Sequence, residues 1–231
     1  MLVHGTTQSP LGWARLQQAL EHRGHRSLSI DLHTDEPLPH VDDYGRLAAS
    51  QVGAHDDVAV VAHSGSGTLL PAIAAALDAV AVVWLAAYIP DFVNGRSLAE
   101  EIDSDPTELF HREWIGVDPT SDAAAARHFL FHDCNPDLQD WALHTLRAFV
   151  PAAGYRHKPS SSPPAATTTV VAPTQDRTLR ADWLRHAAAE RLGIQPLLID
   201  AGHCPHVSRA ESLADTLVSI GSNGATSPPT S

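Results

Sequence analysis

The 231-residue chain is 43 % hydrophobic and 18 % charged, which supplies one sizeable core and lies near the upper range for a single domain. A formal net charge of −12 with Lys158 as its single lysine leaves no basic face for phosphates or anionic lipid. It speaks against nucleic acid and membrane surfaces and for a small-molecule partner.

Cys134 and Cys204 are too few for a disulfide framework and form no C-x-x-C spacing, as in a reducing compartment. No apolar run approaches the roughly 18 residues of a membrane span, and no basic stretch precedes a signal-like apolar one. The expected location is the cytoplasm. A homodimer is left open.

In chain order, Met1 to His4 reads as a first core strand, running into a turn-rich loop from Gly5 to Pro10. Leu11, Trp13, Leu16 and Leu20 fall at helical spacing up to Gly24, a candidate C-cap. Ser27 to Asp31 is the second strand, 33 to 41 a loop and Asp42 to Val52 a helix. The β-branched run at 58 to 62 is the third strand, and a helix follows from Thr68 to Leu77, with a kink expected at Pro71.

Val80 to Ala87 is apolar without alternation, as in a strand buried on both faces of a parallel sheet. Thr167 to Ala172 is the next strand, Leu179 to Arg191 a helix, Gln195 to Asp200 the last strand and Ser208 to Ile220 the last helix. Strands alternating with helices predict a doubly wound α/β fold with a mostly parallel six-stranded sheet. The expected core is 1–87 plus 167–220, with a linker at 156–166 and a disordered tail at 221–231.

The interval 88–155 reads as an insertion. All five phenylalanines fall in it (Phe92, Phe110, Phe129, Phe131, Phe149), with Trp114, Trp141, Tyr88 and Tyr155. Such a composition suits a helical lid over a site and suits equally a subdomain whose aromatics pack its own small core.

Between the third strand and its helix stands Ala62-His63-Ser64-Gly65-Ser66. A serine at such a turn is strained and projected clear of the sheet, provided that its neighbours two positions away are small. The G-x-S-x-G elbow has glycine at both; Ala62 and Ser66 preserve only the smallness. A phosphate-cradling turn is the alternative, but neither G-x-G-x-x-G nor G-x-x-x-x-G-K-[ST] is present.

A serine hydroxyl needs a base within reach and a group that orients the base. Asp176, in Thr174-Gln175-Asp176-Arg177, and His203, in Ala201-Gly202-His203, each follow a strand. Sites of open α/β sheets lie at such carboxyl ends. Asp91 and Asp200 compete with Asp176 for the acid, whereas His203, Cys204 and His206 lack the second cluster that a metal site requires.

The order serine, acid, histidine, with Val3-His4-Gly5, the A-H-S-G-S turn, T-Q-D-R at 174–177, A-G-H-C-P-H at 201–206 and Phe131-His132-Asp133-Cys134-Asn135-Pro136, resembles the α/β-hydrolase superfamily. It is similar in particular to the small branch of bacterial esterases, plant methyl esterases and hydroxynitrile lyases. The resemblance implies strand order 2-1-3-4-5-6 without the leading hairpin of larger members. It also implies Ser64 as nucleophile, His203 as base, Asp176 as orienting acid and the backbone amides of Thr6 and Gly65 as oxyanion donors. The substrate pocket is expected at His4, Phe110, Trp114 and Phe131, with no cofactor.

The expected activity is hydrolysis of a small, largely apolar ester through an acyl-enzyme. The alternative is a non-hydrolytic use of the pocket, metabolite cyclisation or hydroxynitrile-lyase-like chemistry. Lyases of that branch place a lysine after the histidine and a threonine after the loop histidine, where this chain has Cys204 and Gly5.

Overall fold

The computed structural model describes residues 1–224, the last four by their backbone alone. Six strands, β1 (Leu2–Val3), β2 (Ser29–Ile30), β3 (Ala59–His63), β4 (Ala81–Leu85), β5 (Thr167–Pro173) and β6 (Leu197–Ile199), form one sheet in the order β2-β1-β3-β4-β5-β6. Every pairing is parallel. Each expected strand is present, though the outer ones are shorter than their apolar runs.

The apolar runs lack alternation because both faces of the sheet are covered. On one face Val60, Ala62, Val82 and Trp84 pack with Tyr44, Ile73 and Leu184. These come from α2 (Val41–Val52), α3 (Leu70–Ala76) and α9 (Ala181–Leu192). On the other, Val61, Val83 and Leu85 pack with Leu16, Leu20 and Leu213, from α1 (Ala14–Glu21) and α11 (Ala210–Gly224). Successive residues of one strand thus serve opposite layers, the two-residue period of extended chain.

Helix signals in the sequence are met at their ends. The first helix opens as a 3-10 turn at Pro10–Trp13, and Gly24 takes φ +78° just after it. His40 is the N-cap residue of α2, and its amide donates to Asp43 Oδ2 at 3.1 Å. The kink expected at Pro71 is not formed. A 3-10 turn (Ser64–Thr68) ends first and α3 restarts at Leu70, so Pro71 lies in a first turn, where its missing N–H has no partner to lose. The last helix continues to Gly224, four residues past its expected end; the rest of the predicted tail lies outside the described residues.

Between β4 and β5 the chain forms α4 (Leu98–Ser104), α5 (Pro106–Leu109), α6 (Ala123–Phe129), α7 (Pro136–Leu143) and α8 (Ala152–Arg156). Its end is tied to the loop after β1 by backbone bonds from Ser9 to Thr145 O, Arg147 to Thr7 O and Phe149 to Thr6 O. A short helix, α10 (Pro205–Ser208), precedes α11. Among the described residues no helix is long and apolar enough to cross a membrane.

Candidate active site

The sheet order reverses direction at β1, so the loops leaving β1 and β3 diverge and leave a crevice at their carboxyl ends. Ser64 stands there with φ +56°, the left-handed backbone that an L-residue adopts only when its surroundings hold it. Three contacts do so. Ser66 Oγ donates to His4 O at 2.7 Å, tying the turn to β1. His63 Nε2 donates to His203 O at 2.9 Å. At Gly67 any β-carbon would fall 2.0 Å from Tyr88 O, so the turn closes on the chain after β4 only with glycine there.

Ser64 Oγ lies 3.0 Å from His203 Nε2, and His203 Nδ1 lies 2.8 Å from Asp176 Oδ2. With Nδ1–H donating to the carboxylate, Nε2 is the lone-pair nitrogen facing the serine. The other carboxylate oxygen accepts from Thr178 N at 2.8 Å, Leu179 N at 3.1 Å and Thr178 Oγ1 at 3.0 Å, so Asp176 cannot swing away from the ring. Thr178 Oγ1 is also 2.8 Å from His203 Nδ1. Asp176 and His203 are both buried.

The rival acids are engaged elsewhere. Asp91 Oδ1 accepts from Val93 N, Asn94 N and Asn94 Nδ2, closing the turn after β4. Asp200 meets Gln175 Nε2 at the protein's exposed edge.

Two residues between β4 and β5 brace the loops that carry Asp176 and His203. His132 Nε2 donates to Gln175 O at 2.9 Å, beside Asp176, and Gly202 N donates to Asp133 Oδ2 at 2.8 Å, beside His203. Behind His203, the His63 and His206 rings meet edge to face with centres 4.6 Å apart, and His63 lies tilted against His203 at 4.7 Å. Burial, reinforced by the neighbouring imidazoles, holds His63 well below the ordinary histidine value. Burial takes His206 down to about 3. Both rings are therefore neutral behind His203.

The serine opens on a cavity of about 260 Å³ lined by Thr6, Gly65 and His203, and by Leu98, Ile102, Phe110, Trp114 and Leu179 among its apolar walls. Larger hollows near Pro37 and Ser27 contain none of the three residues. Of the residues expected in the pocket, Phe110 and Trp114 line it. His4 and Phe131 do not. His4 is buried under the crevice floor, its Nε2 accepting from Leu32 N; Phe131 packs with Ala126, Leu130, Ala142 and Cys204 in a separate cluster. Tyr88 and Tyr155 line the cavity as well. Among the described residues no group of histidine, cysteine and acidic side chains is arranged to hold a metal ion.

A family model described as "Alpha/beta hydrolase family" matches residues 1–216. The chain belongs to the alpha/beta hydrolase family. No curated protein matches its sequence. Solved structures share the fold of this alpha/beta hydrolase over nearly their whole length. Polyneuridine aldehyde esterase is 17 % identical with a TM-score of 0.77, covering 95 % of this chain and 97 % of its own. A methylesterase from Arabidopsis is 17 % identical with a TM-score of 0.70, covering 96 % and 98 %. A pyrethroid hydrolase is 18 % identical with a TM-score of 0.69, covering 97 % of each.

Proposed function

We propose that this alpha/beta hydrolase cleaves a small, largely apolar carboxylic ester, with Ser64 as nucleophile, His203 as general base and then acid, and Asp176 as the orienting group. The observation that carries the reading is the unbroken chain from Ser64 Oγ through His203 to Asp176, opening on an apolar-walled cavity. The names of the structural neighbours, two esterases and a hydrolase, agree with it.

In the forward step Nε2 takes the hydroxyl proton as Oγ attacks the ester carbonyl. The imidazolium, stabilised by Asp176, returns that proton to the departing alcohol. Water then enters and gives a proton to Nε2 as it attacks the acyl carbon; the acyl–Oγ bond breaks, Nε2 returns that proton to Oγ, and the acid is released. The amides of Gly65 and Thr6, at the head of the turn and in the facing loop, are the donors for the oxyanion. The insertion, which supplies Phe110 and Trp114 to the wall, serves as the lid.

Lyase chemistry finds no support in the geometry. A β-carbon at Gly5, where lyases of the branch carry threonine, would lie 2.6 Å from His63 Nδ1, and Cys204 is buried in the Phe131 cluster away from the cavity.

The test is a fluorophosphonate probe with a panel of alkyl and aryl esters. Labelling and hydrolysis are expected in the wild type and absent from Ser64→Ala and His203→Ala. Labelling that survives in both variants overturns the assignment.

A further inference from the structure

At the head of the site two glycines interlock two elements. A β-carbon on Gly154 of α8 would fall 2.6 Å from Thr68 Oγ1 and 2.8 Å from Leu69 Cδ2, so α8 rests directly on the turn that carries Ser64. The next residue, Tyr155, points back along that turn. A β-carbon on Gly65 would lie 2.9 Å from Tyr155 Oη, 2.7 Å from Thr6 Cγ2 and 3.3 Å from Thr6 Oγ1. The space in which the residue after the serine would carry its side chain is thus filled by the Tyr155 phenol and the Thr6 side chain. Tyr155, Thr6, Gly65, Ser64 and His203 all line one cavity.

Resting on the hydrolase reading, we propose that the Tyr155 hydroxyl is a third oxyanion donor, joining the Thr6 and Gly65 amides on the oxygen that gains charge when Ser64 attacks. The Thr6 hydroxyl borders the same space beside Gly65 as the phenol, and with Thr6 donating to the phenol oxygen, the phenolic proton is left for the substrate oxygen. Burial raises the Tyr155 pKa above the ordinary phenol value, against the lowering effect of Thr6. The hydroxyl therefore keeps its proton at neutral pH and remains a donor. No covalent step is added; the phenol holds its proton while charge develops on the oxygen and disperses as the alcohol leaves. A preorganised donor of this kind acts on the transition state more than on the bound ester.

The test uses a benzyl trifluoromethyl ketone, whose hemiketal with a serine mimics the tetrahedral oxyanion, and the matching methyl ketone, which binds without forming one. The adduct is followed by fluorine NMR on the purified full chain. Tyr155→Phe is expected to weaken the trifluoromethyl ketone about 100-fold, the scale of losing one oxyanion donor, and the methyl ketone less than about threefold. Thr6→Val, which keeps both backbone amides, is expected to weaken the adduct about tenfold and serves alone if Tyr155→Phe does not fold. Equal affinity of variant and wild type for the trifluoromethyl ketone, or parallel losses for both ketones, makes Tyr155 a wall and overturns the inference while the hydrolase reading stands. A wild type that forms no adduct dependent on Ser64 overturns both.

Discussion

Asp176 and Asp91 are both buried carboxylates after central strands, and their partners separate them. Asp176 faces an imidazole, whereas Asp91 faces only the backbone and side chain of its own turn. Asp176→Asn is expected to keep the fold and lower kcat by orders of magnitude, about 10⁴-fold in the worked serine-protease case, because the amide favours the wrong tautomer of His203. Asp91→Asn is expected to cost stability with kcat within a few-fold. Circular dichroism with steady-state kinetics on both decides it, and a crippled Asp91→Asn beside a near-normal Asp176→Asn reverses the roles. Ser64, Asp176 and His203, whose side chains the structure brings together, could be picked out in the sequence because each stands in a short polar segment at a strand end. Thr178, His132, Asp133 and Tyr155 could not. Thr178 reaches His203, His132 reaches Gln175 and Asp133 reaches Gly202 across 25 or more residues of sequence, and no local pattern encodes such a meeting. The F-H-D-C-N-P segment was the one visible trace of the Asp133 brace.

At the scale of elements, the sheet was readable because strands buried on both faces leave unbroken β-branched runs, and turn residues punctuate them. The insertion was readable only as a composition. Its aromatics divide between two jobs: Tyr88, Phe110, Trp114 and Tyr155 line the cavity, while Phe131 belongs to the small cluster over Cys204 and Val207 and Phe149 packs against His4 and Tyr44. Periodicity could not assign these rings because the helices between β4 and β5 are short. The division has a measurable consequence. In a series of esters of growing acyl or alcohol bulk, kcat/KM should rise by up to about tenfold for each pair of buried methylenes, at about 0.8 kcal/mol each, until the cavity is full. Trp114→Ala is expected to flatten that slope with little loss of stability, since Trp114 is only partly buried. Phe131→Ala should leave the slope intact and cost about 3–5 kcal/mol in urea unfolding, because it empties a closed cluster. The opposite pattern would move the substrate's wall from Trp114 to Phe131.

For the molecule as a whole, the histidines packed around the crevice tie stability to pH. His206 is fully buried, its Nε2 3.0 Å from Gln8 Oε1 and its ring 4.3 Å from Trp13, and its pKa falls from 6.5 to about 3 through burial. Burial likewise lowers His63 and His4, the latter opposed by its bond to Gly5 O and by Asp31. A histidine with a depressed native pKa stays neutral in the fold while the unfolded chain takes up its proton below about pH 6.5. The unfolded state then binds more protons than the native one, so stability falls as the pH falls, and the loss runs from about pH 6.5 down to about 3 for His206. At pH 5 the gap below the unfolded value is about 1.5 units, which at 1.36 kcal/mol per unit comes to about 2 kcal/mol for this one ring. The other two add to it in the same direction. Urea unfolding at pH 7 and pH 5 is expected to show this decline, and His206→Met, which fits the apolar contact with Trp13 without a titrating nitrogen, should shrink it by about one proton's worth. The proton count is the readout, since a variant that merely packs worse lowers both values together and leaves their difference unchanged. An unaltered difference between pH 7 and pH 5 in His206→Met would mean that the ring is protonated in the native state, with water or a rearranged Gln8 reaching it behind the His203 loop.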